Sequence, residues 1–371
     1  MGDNYRRYGA IKGALKQLYP KEVKGNLARH MNTLAALISG IVGSQRVSLP
    51  EVASKAPDQK KTKRDSRVKK FERWLQNERI DAEMYFMPFA KELLLGLAGL
   101  AEEKKRALVF AIDGSGVGRG CVTLMLSVLY KKRALPLMWI VVEGKKGHFP
   151  EALHIQLVEQ IQDLVPEAAD VIFLGDGEFD GIGLQAALAD CGWAYVCRTA
   201  KNTQLCEEGA WFTFEDIGIM PGVPWGVPDV LFTQQAYGPV QAIAWWRDNC
   251  KDPIYLITNM DCVEEACYWY SKRFQIETFF SDQKTRGFHL DKSHISDPQR
   301  LARLMIAACL AYIWIVFLGA LAMRDGWVGI LHRLHRCDLS LFRLGLALLE
   351  HFLNEDLPIP VSFQLPAPES F

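Results

Sequence analysis

Residues 304–323 form a run of 20 uncharged, mostly apolar positions, and no other feature constrains the fold of this chain as strongly. A helix of that composition has no polar side to turn to water, so protein or lipid must cover it all round. With 371 residues and 49% hydrophobic content, the chain is large enough to wrap such a helix itself. The flanking Arg300, Arg303 and Arg324 set no clear charge asymmetry. The expectation is a packed central helix and no membrane partner, with a single membrane span as the alternative.

Charge is balanced overall, 43 basic against 43 acidic residues, but it is unevenly spread. Residues 1–80 hold 18 Lys and Arg against 7 Asp and Glu, a net +11 that the rest of the chain offsets. A basic head suits an anionic partner such as nucleic acid or a lipid surface. The acidic remainder argues against a protein that coats DNA with its whole surface. Nine cysteines without a CxxC pair fit neither a secreted disulfide framework nor a cysteine-built zinc site, and point to a reducing cytosol. The first residues lack the apolar core of a signal peptide.

Helical periodicity dominates the first hundred residues. Leu34, Leu37, Ile38 and Ile41 make one apolar face, and Ser48 with Pro50 reads as a cap and first turn of a short helix. In residues 60–75 a basic face is interleaved with Val68, Phe71, Trp74 and Leu75. Lys61, Lys63, Arg64 and Arg67 there are candidate phosphate contacts, the alternative being a solvated face over a helical bundle. From Ala107 the period changes to that of strands. Residues 108–113 read as a strand ending in Asp113, followed by strands at 122–129 and 135–143 and a helix at 150–164. A second strand, 171–176, ends in Asp176, and a helix at 184–189 and a strand at 194–198 follow. This order predicts a mixed α/β sheet. Residues 200–260 read as β-rich, helices return from Val263, and the final Pro-rich residues read as a surface tail.

Gly114, Gly116, Gly118 and Gly120 follow Asp113 without the Lys-Ser/Thr of a phosphate loop and without G-x-G-x-x-G order. They suit a tight hairpin and close backbone approach. One strand-end Asp most often caps a turn; two in one sheet suggest clustered hard oxygens for divalent metal. Tyr270, Arg273, Glu277 and Lys284 fall at offsets 0, 3, 7 and 14, a spacing that one helix would align on a stripe. That stripe serves equally as metal ligand plus phosphate clamp or as a salt-bridged surface. His148, His289 and His294 form no zinc pattern; His294 is a candidate for positioning a phosphate or water, or an ordinary surface residue.

Together these blocks resemble the cut-and-paste transposases of the IS4 family, whose catalytic core is RNase H-like with an Asp-Asp-Glu triad. Members carry a Tyr-(2)-Arg-(3)-Glu-(6)-Lys signature, complete here as Tyr270, Arg273, Glu277 and Lys284. Residues 112–114 and 175–179 match the two Asp blocks, although Gly177 stands where many relatives carry Arg. The resemblance covers roughly residues 108–323. It implies an α/β fold: a helical basic DNA-binding domain (1–100), the first part of an RNase H-like mixed-sheet core (101–200), a β-rich insertion (201–260), the catalytic helix and remainder of the core (261–325), and a C-terminal helical region with its tail (326–371). It further implies Asp113, Asp176 and Glu277 as catalytic ligands of Mg2+, with Mn2+ as a substitute, and Tyr270, Arg273 and Lys284 as contacts to transposon-end DNA. Arg198 would add to that surface, an internal ion pair being the alternative. Trp211, Trp225, Trp245 or Trp246 is a candidate to stack on an extruded base in a hairpin excision intermediate, core packing being the ordinary reading of each one singly. The implied partners are double-stranded DNA with inverted ends, target DNA and a second copy of the chain in a synaptic complex, in the cytoplasm at the nucleoid. The alternatives are a metal-dependent nuclease that cuts without joining and a catalytically inactive DNA-binding module.

Overall fold

The computed structural model describes residues 2–19, 24–57, 62–144, 149–248, 250–333 and 337–366. The chain opens with α1 (Asp3–Gln17), α2 (Gly25–Ser44), α3 (Leu49–Lys55), α4 (Arg64–Gln76), α5 (Ala82–Tyr85) and α6 (Met87–Glu103). Leu34, Leu37, Ile38 and Ile41 are fully buried on α2, as their spacing requires. Pro50 does occupy the first turn of α3, but the Ser48 side chain makes no capping hydrogen bond. On α4, Phe71, Trp74 and Leu75 point inward and leave the basic positions outside.

Three antiparallel strands follow, β1 (Leu108–Val117), β2 (Cys121–Tyr130) and β3 (Arg133–Glu143), then α7 (Glu151–Gln162), β4 (Val171–Gly175), α8 (Ile182–Asp190) and β5 (Ala194–Thr199). β1 does not end at Asp113. It runs on to Val117 because β2 pairs with it without a break from Phe110↔Val128 to Val117↔Cys121, and a ladder needs only backbone, which glycine supplies. The turn comes later, where Gly118 and Gly120 adopt φ of 61° and 71°. β1 also pairs in parallel with β4, from Leu108↔Val171 to Ala111↔Leu174, and β4 in parallel with β5. Extending the β1–β4 register by two residues puts Asp113 level with Asp176. The mixed sheet behind a helical N-terminal region is the RNase H-like arrangement that the sequence led us to expect.

Beyond it lie β6 (Gln204–Glu207), β7 (Ala210–Thr213), β8 (Trp225–Phe232), β9 (Tyr237–Trp245) and β10 (Ile254–Thr258). These strands lengthen the same sheet, whose order is β3-β2-β1-β4-β5-β10-β9-β8-β6-β7. The chain then turns helical through α9 (Val263–Tyr270), α10 (Gln275–Gln283), α11 (Pro298–Arg324), α12 (Val328–Leu331) and α13 (Leu341–Asn354).

α11 is long and apolar enough to cross a membrane, and protein covers it: of residues 304–323 only Phe317 and Met323 are not buried. It packs against α2, α4, β3 and α13. At its N-terminal end the Arg303 guanidinium donates to the Leu75 and Ile80 carbonyls at 2.9 Å, and the Trp139 indole of β3 donates to Ala302 O at 3.2 Å. Part of the presumed tail belongs to this cover, which corrects the sequence reading. Trp314 Nε1 donates to Pro360 O, Tyr130 OH donates to Pro366 O, and Phe363 packs edge-on against Phe89. Phe363 and Leu365 are apolar anchors among the prolines and are buried; residues 367–371 lie outside the described set. The two ends of the chain meet where Arg6 of α1 donates to the carbonyls of Phe352, Leu353 and Leu357 at the C-terminal end of α13.

α11 and α13 cross backbone to backbone. A Cβ at Gly345 would overlap Ile315 O, and one at Gly319 would overlap Leu341 O. Gly345→Ala should therefore lower unfolding stability by about 1–3 kcal/mol through overpacking. Gly96→Ala, in α6 with open space around the new methyl, should raise it by up to about 1 kcal/mol through helix propensity. Urea unfolding followed by circular dichroism reads both, and opposite signs for the two substitutions are required.

Candidate active site

Asp113 lies within β1 and Asp176 follows β4, so the parallel pairing of those strands sets the two carboxylates side by side. The third acid arrives differently from what the spacing suggested. Residues 270–284 are not one helix: Tyr270 ends α9, Arg273 lies in a turn, and Glu277 sits in the first turn of α10. The turn is built from i→i+3 backbone bonds, Arg273 N to Tyr270 O through Glu277 N to Phe274 O, which carry the chain from α9 beside β4 and β5 to α10 beside β1–β3. Lys284 caps the end of α10 outside helical geometry. The four signature residues are therefore gathered by a bend rather than by a helical stripe.

The Arg273 guanidinium occupies the centre. Its Nη1 is 3.9 Å from Asp113 Oδ2 and 4.0 Å from Asp176 Oδ2, and its Nη2 is 3.3 Å from Glu277 Oε1. Asp113 Oδ1 accepts from Gly114 N at 2.7 Å, and Asp176 Oδ1 accepts from Glu178 N at 3.0 Å, which fixes each carboxylate on its own backbone. All three acids and Arg273 line a cleft of about 490 Å³ together with Ser115, Phe149, Glu178 and Phe280. The Lys284 ammonium bonds Ser115 Oγ, two residues beyond Asp113, and lies 5.4 Å from the Phe280 ring centre. Gly114 leaves room for the Phe149 ring, which an added Cβ would meet at 2.7 Å.

Burial, then the nearby Asp176, push the Asp113 carboxyl up to about 6, against the pull of Arg273 and the Gly114 amide. Its side chain is 19% exposed, whereas Glu277 is 62% exposed at the mouth. Burial lowers the Arg273 guanidinium, but Tyr270 and the three acids together hold it above its ordinary value. Burial also raises the Tyr270 hydroxyl, which lies in the fields of Arg273 and Arg198. Behind Asp176, burial brings His154 down to about 4, so near neutral pH it adds no charge. Among the described residues, three carboxylates thus share one central guanidinium.

Other candidates do not line the cleft, although the field of Arg198 reaches Tyr270 beside it. Arg198 is exposed on β5 and makes no ion pair among the described residues. Lys63 and Arg64 are exposed at the start of α4, where Arg64 Nε donates to Pro50 O, and Arg67 is half-buried one turn on. Lys61 and His148 fall outside the described residues. Trp211 and Trp225 are 50% and 59% exposed, whereas Trp245 and Trp246 are half-buried and Trp246 Nε1 donates to Cys250 O. Sequence reading missed Ser115 and Glu178 as lining residues. The signal for Glu178 was its place two residues after Asp176; Ser115 had none, since its side chain is chosen by the hairpin register.

The family model described as "Transposase DDE domain" matches residues 88–314. Among solved structures, the chain is similar to a piggyBac transposase in a synaptic complex with hairpin DNA, determined by cryo-EM. Identity is 12% and the TM-score 0.45, over 96% of this chain and 81% of that one. A likeness that distant carries no weight for this chain's chemistry. No curated protein matches.

The raised Asp113 carboxyl has a thermodynamic consequence. Its folded-state value of about 6 exceeds the ordinary 3.8, so the folded chain binds the proton more tightly and stability falls as pH rises through that window. Asp113→Asn should raise stability near pH 7 by roughly 1–3 kcal/mol and change it little near pH 4. Thermal unfolding without divalent cations measures this, and an equal effect at both pH values would contradict the assignment.

Proposed function

The chain belongs to the transposase DDE domain family, and from that premise we propose that it is an IS4-type cut-and-paste transposase. It would hydrolyse phosphodiester bonds at transposon ends and transfer the freed strand to target DNA. The observation that carries this reading is the meeting of Asp113, Asp176 and Glu277, remote in sequence, around one guanidinium. The helical N-terminal region would hold duplex DNA, residues 201–260 would be the insertion, and a second copy would complete the synaptic complex at the nucleoid.

The donor set fits a hard divalent cation. Three carboxylates converge on one guanidinium, and burial together with the nearby Asp176 pushes Asp113 up. In the Arg273-centred arrangement, no group of three metal-ligating side chains is formed among the described residues. Asp113, Asp176 and Glu277 would hold Mg2+, or Mn2+ in its place. Bound there, such ions activate an attacking oxygen and stabilise a departing one in an in-line displacement.

The chain's own groups have separate tasks. Asp113 and Asp176 are held by backbone amides, so their direction is set before DNA arrives. Arg273 can exchange its carboxylate contacts for a phosphate, to which a guanidinium donates in a fixed fork. Lys284 brings a point charge to the same wall of the cleft from the far end of α10. The exposed Trp211 and Trp225 offer ring faces to an unpaired base, in keeping with a hairpin intermediate.

Incubating the protein with paired ends, target DNA and Mg2+ tests the reading, the ends being sought as inverted repeats beside the coding sequence. Cut and joined products are expected. Glu277→Gln should reduce both by on the order of 100-fold or more, the scale of losing one electrostatic stabiliser of a transition state, with DNA binding retained. Repeated cutting without a joined product would select the nuclease reading, and equal activity of Glu277→Gln would remove the triad.

A further inference from the structure

A second cleft, about 240 Å³, lies where the α2–α3 joint meets the loop that leaves α10. Its lining includes Arg46, Ser48 and Glu51 from the N-terminal region and His289, Lys292 and His294 from the loop. Backbone bonds hold the two walls together and tie them to the catalytic core. Val47 N donates to Phe288 O at 3.0 Å, His289 N to Lys284 O at 2.9 Å, and Arg119 N to Ile295 O at 2.9 Å. The cleft is thus anchored directly to the Lys284 backbone, yet it shares no lining residue with the acid cleft.

Its charges are unspent. Arg46 is half-buried and Lys292 exposed, and neither side chain has an ion pair among the described residues. A half-buried guanidinium with no ion pair remains able to take up an anion. His289 Nδ1 is buried with no hydrogen-bond partner. At that imidazole, burial is the largest influence, and the fields of Arg46 and Lys292 rank ahead of those of Asp291 and Glu51. The cleft is therefore net attractive to an anion, with Glu51 as its one opposing lining group. His289 and His294 both hold left-handed backbone, φ 55° and 60°, where residues with a β-carbon are uncommon. The volume of about 240 Å³ admits a phosphate group and falls below the roughly 300 Å³ at which small-molecule sites begin.

We infer that Arg46, Lys292 and His289 form a backbone-phosphate subsite for duplex DNA, outside the acid cleft, bridging the helical head and the catalytic core. This rests on the transposase reading for the identity of the ligand. The subsite fixes the course of the duplex without reading its sequence, because phosphate contacts position and base contacts specify.

The test is equilibrium binding of the full chain to a fluorescent duplex over a salt series, without divalent cations. Arg46→Ala and Lys292→Ala should each weaken binding several-fold and reduce the slope of log K against log salt by about 0.9, and the double variant by about twice that. Arg46→Lys should keep the slope. Glu51→Gln should tighten binding about two- to fivefold, the size of relieving one partly screened charge. Thermal melts establish that each variant is folded; if the double variant is not, the single substitutions and Glu51→Gln decide. Folded Arg46→Ala and Lys292→Ala variants with unaltered affinity and slope would overturn the subsite and leave the transposase reading standing. Failure of the unaltered chain to bind any duplex would overturn both.

Discussion

Covering α11 is the constraint on which the rest of this structure depends. A helix apolar on every side has to be enclosed, and the enclosure is made from parts that are otherwise unrelated in sequence: α2 and α4 of the helical region, β3 of the sheet, and α13. Residues 360–366 close the remaining side. At roughly 25 cal/mol per Å² of apolar area removed from water, enclosing nineteen buried positions of one helix outweighs any single polar contact in the molecule. The hydrophobic effect thereby unites head and core, and the cleft between Arg46 and Lys292 forms where the two meet.

The acid cleft depends on a different balance. Parallel pairing of β1 with β4 places two carboxylates together, the bend before α10 adds a third, and among the described residues Arg273 is the cation that pairs with all three. Burial first, and the neighbouring Asp176 second, push the Asp113 carboxyl up to about 6 in this setting. The fold supplies the energy for that crowding through its core. A site kept short of positive charge is what a cation or a DNA-bound ion finds attractive.

Much of this was legible in the sequence. Strand period announced β1 through β5, and the order of the acids together with the Tyr270–Lys284 spacing identified the residues that meet. What escaped reading was decided by tertiary context. Gly114 and Gly116 look like turn residues, but pairing with β2 keeps them in a strand and moves the hairpin to Gly118. No Gly or Pro marks the break at residues 271–274, which i→i+3 bonds create as the chain passes from α9 to α10. Proline content made the last segment look like surface, while Phe363 and Leu365 seat it. The cleft between Arg46 and Lys292 has no local signature at all, since its two walls are distant in the chain.

The junction at Arg6 carries one more implication. Its guanidinium fastens the first helix to the carbonyls that end α13, while Arg303 fastens α11 to the end of α4. Clamped at both places, the head is not a tethered module that searches on a leash. It behaves as one jaw of a caliper whose other jaw carries the acids, so on the transposase reading proposed above the interval between grip and cut would be a property of the protein's own dimensions and not of linker slack.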